Sequence, residues 1–304
     1  MTQTRVRGRS NRGLSVSSAL LRLSRPHQWI KNSVVLAGLV FAEVSDQPRA
    51  VANALLAVLA FILASVAIYV SNDIHDAEAD RMHPTKRWRP IARGAVSPVV
   101  ASRFGVVVAL ASVLLAATVS WEFLGIVGLY LVMMAFYNQA LKRIPILDVV
   151  VIALGFVFRA MGGAIAVDTP ISPWLLVCAF LLALFLGFGK RRAEFMLLGD
   201  GAGRHRRSLE GYTLPLLDQL LRVSAGSALV TYAVYTFDAS SVPDNDVMVI
   251  TVPLVAFALF RYMYLIYGKN LGGSPESLLY RDRWILSSVV VWAVLALVLM
   301  ETGS

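Results

Sequence analysis

The chain has 304 residues, of which 57% are hydrophobic and 15% are charged, and its mean hydropathy is +0.67. This composition excludes an ordinary water-soluble domain and predicts a polytopic membrane protein. The net charge of +9 would also suit a nucleic-acid-binding protein. However, the basic residues are concentrated in alternate loops, which membrane topology explains without nucleic acid. The single cysteine, Cys178, lies in an apolar run, so neither a disulfide nor a cysteine metal site is predicted.

The segment before the first apolar run is polar and basic. Its arginines are Arg5, Arg7, Arg9 and Arg12. Because it has little apolar surface to bury, we expect a disordered tail over residues 1–20. It also lacks the apolar core of a secretory signal, so we expect this tail in the cytosol and a single transmembrane domain over residues 21–304.

Nine apolar runs predict nine transmembrane helices, and hence an all-α bundle in the membrane. Several runs are near the shortest length that crosses a hydrocarbon core of about 30 Å, so their ends are approximate. The runs lie near residues 32–45, 50–72, 99–120, 123–140, 146–167, 173–189, 221–237, 247–267 and 284–300.

The loops between these runs alternate in charge. The basic loops cover residues 81–103, 142–143, 190–222 and 269–283, whereas the other loops carry mostly acidic side chains. Basic loops remain on the cytosolic side of a membrane. We therefore expect a protein of the plasma (inner) membrane whose N terminus and basic loops are cytosolic and whose C terminus is outside.

The chain reads R-P-H-Q-W-I-K-N over residues 25–32, immediately before the first apolar run. Pro26 can begin a helix, Trp29 suits the membrane interface, and Lys31 can extend towards water. On spacing alone, the segment serves equally well as an interfacial anchor or as part of a site.

The second apolar run ends in S-N-D-I-H-D-A-E-A-D, residues 71–80. If the helix continues, steps of about 100° per residue place four oxygen-bearing side chains on one face. They are Asn72, Asp73, Asp76 and Asp80. Acids crowded at a membrane helix end repel one another unless a cation lies between them. Mg²⁺ binds such carboxylate and amide oxygens together with substrate phosphates, so the pattern predicts a Mg²⁺ site.

A basic cluster follows the acidic residues and consists of Lys86, Arg87 and Arg89. Arginine and lysine suit phosphate oxygens that a metal leaves free. The predicted ligand is therefore a magnesium diphosphate. The alternative is a capped helix end followed by a solvated charged loop.

The four oxygen-bearing residues match, without a gap, the motif N-D-x-x-D-x-x-x-D, and the chain thereby resembles the UbiA superfamily of membrane prenyltransferases. The resemblance implies nine transmembrane helices, a cavity on the cytosolic side and a Mg²⁺-diphosphate substrate. It also implies that Asp73, Asp76 and Asp80 are catalytic.

The fourth run ends in Tyr137 and the pair Lys142-Arg143, similar to a tyrosine followed by Lys-Arg at this place in the superfamily. Tyr137 and Lys142 are candidates for phosphate contact, although the basic pair also suits a topological anchor. The fifth run contains Asp148 and Arg159. An arginine at membrane depth indicates a functional site, with a substrate phosphate as its partner, or a structural ion pair between two helices.

The sixth run ends in K-R-R-A-E, which includes Lys190, Arg191 and Glu194, and a glycine-rich basic stretch follows over residues 199–207. Superfamily members that use prenyl diphosphates carry a second aspartate-rich motif here. This chain has a basic segment with isolated acids instead. More cations and fewer acids favour a donor with more phosphate, such as phosphoribosyl pyrophosphate. A plain salt bridge between Lys190 and Glu194, four residues apart, is the alternative.

Residues 25–32 and the K-R-x-x-E element resemble one branch of the superfamily, the polyprenyl-phosphate phosphoribosyltransferases of actinobacterial cell-wall synthesis. The resemblance implies Mg²⁺-dependent transfer of phosphoribose from phosphoribosyl pyrophosphate to a polyprenyl phosphate, whose chain length the sequence leaves open. It further implies that Lys31 and Asn32 face the cavity, near the lipid phosphate or the donor. Lys190 and Arg191 would hold the 5-phosphate or the lipid phosphate, and Glu194 would orient the ribose hydroxyls, so Lys190 and Glu194 are counted among the catalytic residues.

Two other functions are compatible with the sequence. One is an aromatic prenyltransferase that makes a quinone or haem precursor, against which the missing second acidic motif counts. The other is a transporter with Arg159 along its pathway, against which the lack of an inverted repeat counts. The sequence leaves open whether the protein forms a homo-oligomer.

Overall fold

The computed structural model describes residues 15–41, 46–170, 172–198, 207–238, 247–269, 271–273 and 275–303. Within these ranges the backbone forms helices and turns without a strand, which confirms the predicted all-α class. The α-helices are α1 (Val16–Leu23), α2 (Ala37–Phe41), α3 (Pro48–His75), α4 (Ala77–Met82), α5 (Pro98–Val119), α6 (Trp121–Gln139), α7 (Leu147–Ala166), α8 (Pro173–Leu198), α9 (Leu214–Asp238), α10 (Val252–Lys269), α11 (Pro275–Arg281) and α12 (Arg283–Gly303). Short 3₁₀ segments span Pro26–Leu36, Lys86–Trp88, Leu141–Arg143, Arg207–Gly211 and Val247–Thr251.

Eight helical stretches in the described residues are long and apolar enough to cross a membrane. They are α3, α5, α6, α7, α8, α9, the continuous helical stretch Val247–Lys269 and α12. These eight correspond to the second to ninth predicted runs. The first predicted run, 32–45, differs, because the chain there forms a 3₁₀ segment and the five-residue α2. Its residues 42–45 lie outside the described ranges, and the ninth crossing stays a prediction.

Small residues and serine caps explain how the long helices begin and pack. Ser97 and Ser120 precede α5 and α6, and their Oγ atoms accept hydrogen bonds from the backbone N–H groups three residues later (3.3 and 3.1 Å). α3 buries a row of alanines that includes Ala57, Ala60 and Ala64. Small side chains let membrane helices approach closely, since lipid offers them no hydrophobic driving force to associate.

The 3₁₀ segment Pro26–Leu36 is built into the bundle by close contact with α7. A Cβ atom on Gly163 would lie 2.0 Å from the carbonyl oxygen of Val35. A Cβ atom on Gly38 would lie 2.6 Å from the backbone nitrogen of Ala164. Only glycine permits this approach of two backbones, so Gly163 in α7 and Gly38 in α2 fix the position of the segment that carries Lys31 and Asn32.

The charged side chains collect at one end of the bundle, here called the polar end. Contacts across it join Lys142 to Asn72 and Arg191 to Asp148. The polar end therefore contains the C-terminal ends of α3 and α8, the N-terminal end of α7 and the 3₁₀ turn before it. It brings together motifs that lie more than 100 residues apart in sequence.

Candidate active site

The aspartate-rich motif does not form one continuous helix. α3 ends at His75, Asp76 takes a non-helical conformation (φ −95°, ψ 4°), and α4 begins at Ala77. The interruption is local, because the backbone N–H groups of Asp76 and Asp80 still donate to the carbonyls of Asn72 (2.9 Å) and Asp76 (2.8 Å). Asp80 consequently lies on a different helix from Asp73 and remains close to it.

Asp73 and Asp80 converge on one guanidinium. Nη1 of Arg89 lies 3.0 Å from Oδ1 of Asp73 and 2.6 Å from Oδ2 of Asp80. Arg25 also forms an ion pair with Asp73 through Nη2. Both carboxylates are buried, with exposed fractions of 2% and 4%. Two buried acids are thus neutralised by two arginines.

Asn72 and Asp76 converge on a second cation. Nζ of Lys142 lies 3.1 Å from Oδ1 of Asn72 and 2.5 Å from Oδ1 of Asp76. Lys142 therefore contacts the motif in this structure, whereas its neighbour Arg143 is exposed. The four residues of the predicted acidic face thus form two pairs, and the side-chain oxygens of each pair contact one cationic side chain.

Burial opposes ionisation in the first pair. Burial raises the pKa of Asp80, and Arg89 acts in the opposite direction. Burial likewise lowers the pKa of Arg25, against the effect of Asp73. Each charged form is stabilised by its partner, so removing a charge from one residue of the cluster shifts the pKa of the residue paired with it.

The donor set fits Mg²⁺ in part. All four motif side chains offer hard oxygen atoms, and each pair already converges on a cation. In the described part of the chain, however, no group of three or more His, Cys, Asp or Glu side chains surrounds one point. The residues therefore suit a metal whose coordination is completed by substrate phosphates and water, and not an all-protein cage.

The basic cluster after the motif divides between the site and the surface. Arg89 contacts the acids directly. Lys86 is half-buried and adds positive charge near Asp80. Arg87 is exposed, and its guanidinium lies 5.2 Å from the ring centroid of Trp88. The predicted phosphate-binding role is untested for all three, and Arg89 is the member that the structure brings into the acidic cluster.

Arg159 is buried among neutral groups. Its Nε donates to Oδ1 of Asn32 (2.8 Å), and its Nη2 donates to Ser65 Oγ and Tyr130 Oη (2.9 Å each). Its Nη1 donates to the carbonyl of Gly155 (2.7 Å). Among the described residues Arg159 pairs with no carboxylate. The hypothesis that it forms a structural ion pair between two helices is therefore wrong for the part of the chain that the structure describes.

The N-terminal segment is held by the same arginine. Asn32 is buried and engaged by Arg159, so its amide is part of the helix contact. Lys31 is half-buried, and its Nζ donates a hydrogen bond to Oε1 of Gln28 (3.3 Å). Their predicted role in binding a phosphate is untested.

The end of α8 forms a second charged cluster. Arg191 is buried and donates through Nε to Oδ2 of Asp148 (2.7 Å) while its Nη1 pairs with Glu194. Asp148 also accepts from Ser208 Oγ (3.0 Å) and from Tyr212 Oη (2.8 Å). In this structure the described partners of Arg191 are protein carboxylates, which makes it a residue that orders the site.

The predicted site residues of this region also include Lys190, Glu194 and Tyr137. Lys190 and Glu194 are half-buried near the polar end, and Tyr137 is buried. The basic stretch after α8 cannot be described fully, because residues 199–206 lie outside the described ranges. The interpretation of that stretch as a phosphate-binding loop therefore stays a prediction.

Comparison with known proteins identifies the family. The model of the UbiA prenyltransferase family matches residues 33–285. The chain belongs to the UbiA prenyltransferase family. This result confirms the resemblance inferred from the aspartate-rich motif.

Curated relatives within the UbiA family are similar over nearly the whole chain. A decaprenyl-phosphate phosphoribosyltransferase of Mycolicibacterium smegmatis is 33% identical and covers 90% of this chain and 90% of its own length. The protein of the same name from Corynebacterium glutamicum is 31% identical over 91% of this chain and 85% of its own length. The similarity therefore extends over most of both chains.

A solved UbiA homologue confirms the fold. The structure of the Archaeoglobus fulgidus protein bound to GPP and Mg²⁺ has a TM-score of 0.71 to this chain. It covers 94% of this chain and 99% of that one at 18% sequence identity. At this identity the match establishes the UbiA architecture alone.

Arg25 is the site residue of this UbiA protein that sequence reasoning missed. Its backbone is left-handed (φ 49°), and its guanidinium lies 5.0 Å from the ring centroid of Tyr69. A non-glycine residue in this region is uncommon and marks a position that the surrounding structure determines. The available signal was its place immediately before Pro26, the first residue of the 3₁₀ segment, because a residue before proline is disfavoured in the right-handed helical conformation.

Proposed function

We propose that this protein transfers the 5-phosphoribosyl group of phosphoribosyl pyrophosphate to a polyprenyl phosphate, with decaprenyl phosphate as the expected acceptor. The product would serve synthesis of an arabinan or other cell-wall precursor. The observation that carries the proposal is the similarity, over about nine-tenths of both chains, to proteins named decaprenyl-phosphate phosphoribosyltransferase. The arrangement of acids and cations at the polar end supports it.

The proposed reaction is a substitution at C1 of the ribose. An oxygen of the lipid phosphate forms a bond to C1, and the bond from C1 to the diphosphate oxygen breaks. The electron pair leaves with the pyrophosphate. Because the nucleophile is already an anion, the reaction needs no strong general base, and stabilisation of the leaving group is the main task of the protein.

We infer that Asn72, Asp73, Asp76 and Asp80 hold Mg²⁺ together with the donor diphosphate. When bound, the metal would neutralise the negative charge that develops on the leaving group. The two converging oxygen pairs support this assignment. Asp73 and Asp76 belong to different pairs, which suits binding on two sides of a diphosphate.

The cations that neutralise the motif are placed to bind the donor. Arg25, Arg89 and Lys142 each contact a motif oxygen and could turn towards phosphate oxygens close by. Lys86 and Arg87 would extend this positive surface. Charge-assisted hydrogen bonds from these side chains would orient the diphosphate and hold C1 accessible to the acceptor.

The end of α8 would bind the remainder of the donor. Lys190 is assigned to the 5-phosphate or the lipid phosphate, and Glu194 to the ribose hydroxyls. Arg191 fixes the position of Glu194 by the ion pair between them. Arg159, with Asn32, would hold the segment that carries Lys31.

We further infer nine membrane crossings with a cytosolic polar end. The basic loops that gather there support this orientation. Cysteines placed at exposed positions in a Cys178→Ser background test it. A membrane-impermeant maleimide on intact cells should label Glu122→Cys and leave Arg143→Cys unlabelled, and the opposite pattern would reverse the topology.

Transfer of label from ribose-labelled phosphoribosyl pyrophosphate to a polyprenyl monophosphate tests the function. The purified protein should form a labelled lipid with Mg²⁺ and lose that activity with a chelator. Consumption of an isoprenyl diphosphate with an aromatic acid, and no labelled lipid, would support aromatic prenyl transfer instead.

A further inference from the structure

An open cavity lies beside the candidate active site, between α10 and α11. Its volume is about 370 Å³, within the range of small-ligand sites. The residues around it include Leu265, Lys269, Gly273, Leu278 and Arg281. None of the motifs discussed above accounts for it.

The cavity adjoins the end of α8. Gly272 lines it, and a Cβ atom on this glycine would lie 2.9 Å from the carbonyl oxygen of Gly189 and 3.3 Å from Cβ of Ala193. Gly189 immediately precedes Lys190, and Ala193 immediately precedes Glu194. One wall of the cavity is therefore shared with the helix end that carries the two predicted ribose- and phosphate-binding residues.

The cavity is lined by apolar side chains that are buried and by basic side chains that are exposed. Leu265 and Leu278 are buried, whereas Lys269 and Arg281 are exposed. Among the described residues neither cation pairs with a carboxylate, although Nζ of Lys269 lies 6.0 Å from the ring centroid of Tyr264. The cavity thus combines two exposed positive charges with buried apolar side chains.

The one acid that lines the cavity in the described chain is already neutralised. Asp282 accepts from Nη2 of Arg261 (2.8 Å). It also accepts from the backbone N–H groups of Trp284 (3.1 Å) and Ile285 (3.0 Å), and so caps α12. Asp282 consequently does not cancel the charge of Lys269 or Arg281.

The cavity is at the level of the membrane surface. Lys269 is the last residue of one candidate span, and Arg283, just beyond Asp282, is the first residue of the next. Lipid phosphate groups lie at this level, with their apolar chains directed into the bilayer. A soluble sugar phosphate has no apolar chain to bury against Leu265 and Leu278, so these side chains would not stabilise its binding.

We propose that this cavity binds the head of the acceptor, a phosphomonoester on an apolar chain, before its transfer to C1. The proposal rests on the proposed function and assigns its second substrate. Lys269 and Arg281 bind the phosphate, and Leu265 and Leu278 contact the first isoprene units. The remainder of the chain lies in the membrane.

Substrate kinetics with charge-neutral variants test the proposal. Lys269→Gln and Arg281→Gln should each raise the KM for polyprenyl phosphate about tenfold, since each removes one charge-assisted hydrogen bond. The KM for phosphoribosyl pyrophosphate and kcat at saturating lipid should change less than about twofold. The matched control is Arg283→Gln, which removes an exposed charge from the same loop but does not line the cavity.

A steric variant tests the cavity without a change of charge. Gly273 lines it, and a Cβ atom there would have no heavy atom within 4 Å. Gly273→Leu should therefore fold normally and raise the KM for the lipid. Gly268→Leu, at an exposed position that does not line the cavity, should not.

Three outcomes would overturn the proposal. They are an unchanged lipid KM in the cavity variants, an equal effect of Arg283→Gln, and a rise in the KM of the soluble donor alone. The last would indicate that the phosphate bound here belongs to the donor. If the wild type transfers no phosphoribose, the proposed function fails separately, and direct binding of polyprenyl phosphate to the detergent-solubilised variants still decides whether the cavity binds a lipid phosphate.

Discussion

Asp148, at the N-terminal end of α7, and Arg191, near the C-terminal end of α8, form a buried ion pair with 2.7 Å between Oδ2 and Nε and exposed fractions of 0% and 2%. The pair links α7, which follows the Lys142 turn, to the C-terminal part of α8, which carries Glu194. It also anchors residues 208 and 212 of the next connection.

Asp148→Ala should destabilise the protein by about 3–5 kcal/mol, because it leaves the Arg191 charge buried with one partner fewer. The matched comparison is Asp282→Ala, whose partner Arg261 is 24% exposed. There the lost ion pair should contribute much less, because its cation is exposed to water, and the lost helix cap is a separate effect. Thermal unfolding of the two variants in the same detergent measures the difference, and equal losses would contradict the assignment of Asp148–Arg191 as an anchor.

Tyr212 should make the protein sensitive to alkali. Burial, reinforced by Asp148, raises the pKa of this tyrosine above its ordinary value of 10.0. Its stabilising contribution is complete below about pH 10 and is lost as the pH rises towards the folded-state pKa, because the unfolded chain ionises first. Tyr212→Phe should remove this part of the alkaline loss, at the cost of the hydrogen bond to Asp148, about 1–3 kcal/mol at neutral pH. Unfolding curves between pH 7 and about pH 11 compare the two proteins.

Asp73→Asn and Asp76→Asn should each reduce Mg²⁺-dependent transfer by at least about 100-fold, since each removes a charged oxygen ligand from the proposed metal site. Glu78→Gln is the control, because Glu78 is exposed in the same segment and lies outside the two oxygen pairs. Initial rates over a Mg²⁺ titration test this prediction. Normal rates in the Asp73 and Asp76 variants would exclude the metal assignment.

Arg25→Gln should lower kcat/KM for the donor about tenfold or more, because Asp73 loses one of its two arginine partners and the donor loses a cation. The control is Arg22→Gln, an exposed arginine in the last turn of α1. If both variants lose activity equally, the effect is one of surface charge. If Arg25→Gln behaves as wild type, its left-handed placement serves the backbone alone.

Gly163→Ala should displace the 3₁₀ segment, since the new methyl group would lie 2.0 Å from the carbonyl oxygen of Val35. We expect a loss of about 1–3 kcal/mol, typical of overpacking, with reduced activity. Gly128→Ala, where a Cβ atom meets no heavy atom within 4 Å, should be neutral or slightly stabilising. Protein yield and thermal unfolding distinguish the two.

The sequence predicted the elements whose physics is local. Apolar length alone located eight of the spans, because a hydrocarbon core requires about 20 apolar residues. The 3₁₀ segment Pro26–Leu36 was not foreseen, since its position depends on contact with Gly163, well over 100 residues away in sequence. Periodicity cannot reveal such a contact between backbones.

The sequence predicted which residue types form the candidate site, but not which acidic side chain pairs with which cation. The spacing of Asp73, Asp76 and Asp80 indicated oxygen donors at one helix end. It could not indicate that Asp73 and Asp80 share Arg89 while Asp76 pairs with Lys142, because those partners arrive from other parts of the chain. For the same reason Arg191 was assigned to substrate, whereas the structure pairs it with Asp148.

The three cations on the motif have a consequence for the order of binding. Arg25, Arg89 and Lys142 compensate the acids when no substrate is bound, so a metal ion arriving alone must compete with positive charges already in place. A donor that brings its own diphosphate gives those side chains a new anion to bind as they release the carboxylates. We therefore expect metal and donor to bind synergistically, each weak without the other, so that the resting enzyme resists inhibition by stray divalent ions.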